Sequence, residues 1–336
     1  MNAQDLDTPA LYVDLSILER NIAGMQARAR AWGLHLRPRT GAHRVAEIAR
    51  QQLSAGAIGF AAGTISEAAA LPADDWLISY PVFGDKARRL REFAGPRRAA
   101  IVVDSVEAAR EAGEIAALIK IQLGGDDWGA PSAAATVEIA RACQRFVGLS
   151  YCHGSQQTVG LDFAQSTLAA ALTEVEHVGL KASVVSARTM VGLHDKAEFV
   201  TQTTEIRPGE YVFNDAAMLR HGACTEADCA LRVLVGVVST TVRGQCIIDA
   251  GSKTFSNNAT PGAGTFGHFV GRPWIMRKMN EEHGFVSIEG TARVGEKAWV
   301  IPSRAGGIMN MHDVVWFGRD GKVEGNWPVT ARGKVR

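Results

Sequence analysis

Between residues 12 and about 215, short apolar or β-branched runs alternate with amphipathic helical patterns, and this alternation constrains the fold more than any other feature of the chain. The strand-like runs are Leu34–Pro38, Ala57–Ala61, Trp76–Tyr80, Ala99–Val103, Ala117–Leu123, Val147–Tyr151, Ala182–Ser186 and Glu210–Phe213. Helical spacing lies between them at 43–53, 64–71, 84–93, 105–114, 131–145 and 163–176. Parallel strands need helices over their outer face, so eight strands with intervening helices predict a TIM-type (β/α)8 barrel. From residue 229 the helical period fades. Val233–Val242, Gln245–Asp249, Phe285–Glu289, Ala298–Ile301 and Val314–Phe317 then read as strands separated by Gly, Pro and Asn. The predicted organisation is a barrel over 12–228 and a mostly β second domain built from 1–11 and 229–336.

Composition narrows the function classes. At 336 residues and 46% hydrophobic content the chain is long enough for two unequal domains. Its 36 basic and 35 acidic residues give a net charge of +1 without runs of one sign, which argues against nucleic acid or an anionic membrane as partner. No window approaches the ~18 apolar residues of a membrane span, and the first residues lack a basic, apolar leader, so a soluble cytoplasmic protein is expected. Cys143, Cys152, Cys224, Cys229 and Cys246 are odd in number and scattered, as suits reduced thiols. His221, Cys224 and Cys229 do not read as a metal site, because Asp228-Cys229-Ala230-Leu231 begins an apolar strand.

The segment Leu36-Arg37-Pro38-Arg39-Thr40-Gly41-Ala42-His43-Arg44 resembles the R-P-H-x-K-T-H-K segment that ends the first barrel strand in the D-threonine aldolase and D-serine dehydratase branch of the alanine-racemase-like family. The likeness extends along the chain through Asp7-Thr8-Pro9-Ala10-Leu11, Ala55-Gly56-Ala57-Ile58-Gly59, Thr64-Ile65-Ser66-Glu67-Ala68, Arg207-Pro208-Gly209-Glu210-Tyr211-Val212-Phe213, Asp249-Ala250-Gly251-Ser252-Lys253 and Glu281-Glu282-His283-Gly284. It implies the same barrel and β-domain, a homodimer, and lyase chemistry on small amino or hydroxy acids. It also implies pyridoxal phosphate on the lysine of the first segment and a divalent ion in a segment like I-P-x-H-x-C/D.

This chain departs from that pattern where the family's chemistry resides. Gly41 stands at the Schiff-base lysine, Arg39 at the histidine before it and Arg44 at the final lysine, while Arg37 and His43 are kept. Ile301-Pro302-Ser303-Arg304-Ala305-Gly306 puts a cation and a bare backbone where the metal ligands would be, so no metal is expected there. Val185-Ser186-Ala187-Arg188-Thr189-Met190 replaces a glycine-rich phosphate cradle, though Ser186, Arg188 and Thr189 still offer donors to an anion. In the fifth strand, Lys120 matches a lysine that related alanine racemases use structurally, Gln122 replaces an acid and Asp127 replaces an arginine. Lys120 is then a barrel-core lysine paired with an acid, a relocated Schiff-base or general-base lysine, or a surface residue.

Polar residues survive at the carboxyl ends of the strands, the face on which barrels place active sites. Tyr151-Cys152-His153-Gly154-Ser155-Gln156-Gln157 resembles the family's Y-x-G-H or Y-H-G-x-x-Q-H segment, and the eighth run and the residues just after it contribute Tyr211, Asn214 and Asp215. His43, Tyr151 and His153 are therefore the acid/base candidates. Arg39, Arg44, Gln156, Arg188, Thr189, Tyr211 and Arg304 are the candidates for holding a carboxylate or phosphate. The expected activity is aldol cleavage or β-elimination on a small anionic amino- or hydroxy-acid, with no lysine-linked cofactor or with pyridoxal phosphate held noncovalently. The alternatives are a non-catalytic paralogue that binds a metabolite or pairs with an active homologue, and a pyridoxal phosphate enzyme whose lysine has moved to Lys120. A dimer with loops around Phe255–His268 closing the partner's barrel mouth is the expected assembly.

Overall fold

The computed structural model describes residues 1–124, 127–153, 160–189 and 199–336, apart from the side chains of His153 and Thr189. Strand β1 (Ala10–Asp14) leads through α1 (Leu15–Ala31) into eight parallel strands: β2 (His35–Leu36), β3 (Phe60–Ala62), β4 (Asp75–Ile78), β5 (Arg98–Val103), β6 (Ala116–Lys120), β7 (Phe146–His153), β8 (Val184–Thr189) and β9 (Glu205–Ile206). Helices α2 (Ala46–Ala55), α3 (Ile65–Ala69), α4 (Asp85–Ala94), α5 (Val106–Ala112), α6 (Ala133–Ala142) and α7 (Leu161–His177) lie between them in sequence. The strand order is β2-β9-β8-β7-β6-β5-β4-β3. Hydrogen bonds from Ile58 N to Leu36 O and Ala61 N to Pro38 O, with a bridge between Arg39 and Ala61, join the two ends into a barrel.

Side-chain alternation along each strand divides the barrel into an interior and a helix-facing layer. Ala61, Leu77, Val102 and Leu118 form an apolar cluster inside. Phe60 and Trp76 occupy the other face, and Trp76 also packs against Phe93 of α4. Several helices start where the sequence provides an oxygen cap: Thr64, Ser105 and Ser132 accept the N–H of Glu67, Ala108 and Ala135. Gly148 is required by a close approach, since a Cβ there would sit 1.9 Å from Val184 O.

The eighth barrel strand is β9, not Glu210–Phe213. Glu210–Val212 forms a 3₁₀ turn instead. The strand was concealed because Glu205 and Arg207, which belong to the interior, interrupt its apolar pattern, and Pro208 lacks the N–H needed to continue it. Asn214 follows with φ 51°, outside strand geometry, and Asp215 caps the next helix.

After α8 (Ala216–Arg220) come β10 (Leu231–Ser239), β11 (Gln245–Ile248), α9 (Ser252–Phe255), β12 (His268–Phe269), β13 (Ile275–Met279), β14 (Gly284–Ser287), β15 (Lys297–Ile301), α10 (Ala305–Met309), β16 (Val314–Arg319) and β17 (Lys322–Pro328). The sheet runs β13-β14-β11-β10-β1-β16-β17, with β15 on β10 and β12 on β15. Ala3, Leu6, Ala10, Tyr12 and Leu234 form one of its cores, covered by Trp299, Trp316 and Val323.

By packing, the chain divides into a β-rich unit of 1–24, 42–48 and 210–333 and a barrel unit of 25–41, 49–209 and 334–336. The sequence-based division at 12 and 228 follows strand type, whereas this partition follows contacts. The β-rich unit thereby takes in 12–24, 42–48 and 210–228. No helix among the described residues is long and apolar enough to cross a membrane.

Candidate active site

The barrel interior carries two polar layers besides its apolar cluster, one reaching the amino ends of the strands and one at the carboxyl ends. In the lower layer Arg37 reaches Asp75 at 2.6 Å and Glu205 at 3.1 Å, and Arg98 also meets Asp75 at 2.8 Å. Ser186 Oγ donates to the second Glu205 oxygen at 2.5 Å. Burial opposes the Arg37 charge, yet Glu205 and Asp75 more than offset it and hold the guanidinium above its ordinary pKa.

Arg207 begins the upper layer. Its Nη2 donates to Ser150 Oγ at 2.7 Å, Ser186 O at 3.2 Å and Tyr151 O at 3.5 Å. Its buried Nε has no hydrogen-bond partner among the described residues. Burial, reinforced by Arg39 and Arg188 against the pull of Glu205, lowers its pKa to about 9. Arg39 lies two residues beyond Arg37 on the first strand, held by its N–H to Pro208 O at 2.9 Å. Arg188 lies two beyond Ser186 on β8, in register with Cys152 on β7.

Lys120 ends β6 in the same layer, close enough to Arg207 to feel its charge. Its amine binds the Asp127 carboxylate, donates to Trp128 O at 2.6 Å and lies 4.8 Å from the Trp128 ring centre. Gln122 Nε2 donates to Asp127 O at 2.9 Å and fixes the same turn. Burial lowers the Lys120 pKa, with Asp127 pulling the other way. This is the core lysine paired with an acid, and its acid is Asp127.

Tyr151 is elsewhere. Ser150 and Cys152 face inward, so a period of two turns Tyr151 toward the helices. There its hydroxyl meets Thr203 Oγ1 at 2.7 Å and accepts the Val200 N–H at 3.2 Å, fully buried. Burial raises its pKa, and it serves as a wall residue. His153 and Thr189 end β7 and β8, but their side chains, and Gln156 entirely, lie outside the described residues.

The remaining candidates belong to the β-rich unit. His43 is buried and its Nδ1 accepts the Val45 N–H at 3.1 Å, so in the neutral ring the proton is on Nε2. Arg44, at φ 56°, donates to Gly306 O at 2.5 Å, while its own carbonyl accepts from Ala331 N at 3.0 Å. The expected anion clamp at Arg44 thus has a structural duty, holding the start of α10. Tyr211 is buried in the 3₁₀ turn.

Asp215 holds the same helix start. One oxygen accepts the Met218 N–H at 3.1 Å and the other the Ala305 N–H at 3.2 Å, immediately after Arg304. Burial pushes its carboxyl up to about 7, assisted by Glu210 and opposed by the two N–H groups and Arg304. The folded value is above the unfolded one, so this group's stabilisation is complete below about pH 4 and lost as pH rises through about 7. Urea midpoints measured across that window should fall more steeply with rising pH in wild type than in Asp215→Asn. Parallel slopes would refute the assignment.

Lysine-linked pyridoxal phosphate does not fit these residues. Gly41 offers no amine in its 3₁₀ turn Thr40–Ala42, and Lys120 is clamped by a carboxylate and a carbonyl. A divalent ion does not fit at 304–306 either, where the side chains are a guanidinium, a methyl group and a hydrogen. Sequence reasoning missed Arg207 and the Arg37–Glu205–Asp75 layer; the signal was a polar residue at every second position around the first, seventh and eighth strands.

Comparison with known proteins places this geometry in context. A D-threonine aldolase from Arthrobacter sp. is 31% identical, covering 98% of this chain and 94% of that protein. A 3-hydroxy-D-aspartate aldolase from Paracoccus denitrificans (strain Pd 1222) is 30% identical, covering 99% and 94%. The crystal structure of D-threonine aldolase from Filomicrobium marinum superimposes with a TM-score of 0.88 at 29% identity, over 99% of this chain and 97% of that one. The serine dehydratase domain profile matches residues 230–317 and the alanine racemase N-terminal domain profile residues 13–217. The chain belongs to the alanine-racemase-like family.

Proposed function

We propose that the protein is a lyase-type enzyme acting by aldol cleavage or β-elimination on a small anionic amino- or hydroxy-acid, without a lysine-linked cofactor or a divalent metal. The names of its relatives support the reaction class, since two are aldolases of β-hydroxy D-amino acids. The observation that carries the substrate class is Arg207: a guanidinium buried in the barrel without a carboxylate at ion-pair distance among the described residues, beside Arg39, Arg188 and Lys120. Such a charge is costly to bury alone, and a bound carboxylate or phosphate relieves that cost through forked, charge-assisted hydrogen bonds.

The proposal assigns Arg207 and Arg188 to anion binding. Lys120, its amine less basic than in water, is the positive wall that stabilises negative charge developing on the substrate. His43 is the proposed acid/base group, by residue type and by its position after the first strand; Tyr151 is left out because its hydroxyl faces away from the interior, and His153, two residues further along the same strand, is left out with it. Noncovalent pyridoxal phosphate is one anion of the right class, and when bound it supplies an electron sink for a carbanion.

The purified protein incubated with pyridoxal phosphate and borohydride should yield no lysine-bound pyridoxyl peptide. Reductive labelling of Lys120 would replace this reading with the relocated-lysine one. Retained anion binding without cleavage or elimination of any β-hydroxy amino acid would favour a non-catalytic paralogue, the reading that Gly41 and Gly306 also accommodate. We further propose a homodimer, to be read as such by sedimentation velocity at micromolar concentration; a monomer would contradict it.

A further inference from the structure

The opposite end of the barrel carries a second concentration of positive charge. A cavity of about 740 Å³ opens there, lined among others by Arg91, Arg97, Arg98, Arg145, Asp75 and Glu114. Its position follows from the topology. Asp75 opens β4, Arg98 opens β5, Glu114 lies just before β6 and Arg145 just before β7, so the cavity is at the amino ends of four adjacent strands. The upper polar layer lies at the carboxyl ends.

Three of the four arginines are held in place by contacts within the barrel unit. Arg97 donates to Phe93 O at 3.2 Å and stacks 4.7 Å from the Phe93 ring centre. Arg91 donates to Glu111 O at 3.0 Å, and Arg98 is tied to Asp75 at 2.8 Å. These contacts occupy a fraction of the five donors on each guanidinium, so ordered N–H groups remain for a ligand. The Asp75 charge is already met by Arg37 and Arg98, which leaves the lining with an excess of positive charge. The volume falls in the range that takes small molecules of nucleotide or sugar-phosphate size.

We propose that this amino-terminal cavity binds a phosphate-bearing small molecule, gripped by Arg97 and Arg145 with Arg91 at its rim. Barrel chemistry belongs to the carboxyl ends, so the ligand here is bound without being turned over, as an effector or a tether. Arginine rather than lysine at all four positions suits the forked recognition of phosphate oxygens.

Pyrophosphate is the probe, titrated calorimetrically into the full chain against sodium chloride of equal ionic strength, with hydrogen exchange as the site readout. Saturable binding is expected, with protection of amides in 94–100 and 113–116. The Arg97→Met/Arg145→Met double variant should need at least ten-fold more pyrophosphate to reach that protection, while Arg188→Met, which acts on the proposed anion site at the carboxyl ends, should leave the protection of 94–100 and 113–116 as in wild type. If the double variant melts early in chloride, Arg145→Met alone, an exposed position, should still weaken binding about three-fold. No saturable binding, no protection of 94–100 and 113–116, or the same protection in wild type and double variant overturns the proposal.

Discussion

Replacing Arg37 with methionine is expected to lower the stability of the protein by about 3–5 kcal/mol, the usual consequence of removing one partner from a buried ion pair. Arg37 joins Glu205 and Asp75 inside the barrel, with side chains 12%, 5% and 20% exposed. Without it Asp75 keeps Arg98, but Glu205 keeps only the Ser186 hydroxyl and the longer-range attraction of Arg207, and is left as a buried carboxylate without an ion pair among the described residues. The cost arises from that stranded charge more than from the lost contacts. Adding Glu205→Gln to Arg37→Met should therefore recover part of the loss, and the double variant should be more stable than the sum of the singles predicts. Urea denaturation with all four proteins measures this. A loss below about 1 kcal/mol for Arg37→Met, or strict additivity, would show that the layer is not energetically coupled.

Arg207→Met should behave in the opposite way. This guanidinium contacts one hydroxyl and two carbonyls, and its environment already disfavours its charge, with the pKa lowered to about 9. A methionine of similar length removes the desolvation cost, so the melting temperature should hold or rise. The affinity for a small anion such as malonate or phosphate should fall by about 10- to 100-fold, the equivalent of one charge-assisted hydrogen-bonded contact at ~1.5–3 kcal/mol. Stability retained while anion binding collapses is the pattern of a residue kept for a ligand. A variant that unfolds early but still binds the anion would assign Arg207 to architecture instead.

Seven of the eight barrel strands were legible because their helix-facing positions are apolar and β-branched or aromatic, as in Phe60, Trp76, Ile101 and Val185. The eighth was not, because its interior half is ionic and its helix-facing half is little more than Ile206. The same alternation excludes Tyr151 from the interior once Ser150 and Cys152 are assigned to it, and it brings Arg188 and Arg207 together. Lys120 was readable as a core lysine, but its acid was not. Asp127 lies in the turn beyond the strand, and only the fold of that turn returns its carboxylate to the amine. Arg44 had no local signal at all, since its partner Gly306 is distant in sequence and presents a backbone carbonyl, which carries no side-chain signature.

Strand β1 lies between β10 and β16, with Tyr12 opposite Arg232 on one side and Trp316 on the other, roughly 300 residues further along the chain. During synthesis this strand is made before the barrel and waits longest for its neighbours, because the sheet of the β-rich unit cannot close until β16 has been made. Pairings so far apart in sequence are slow to form, and an unpaired strand edge invites association with other chains in the interval. Nearly all of the barrel unit is available before β16, so the order of emergence favours a barrel that forms first, followed by a β-sheet whose completion depends on a strand made before the barrel.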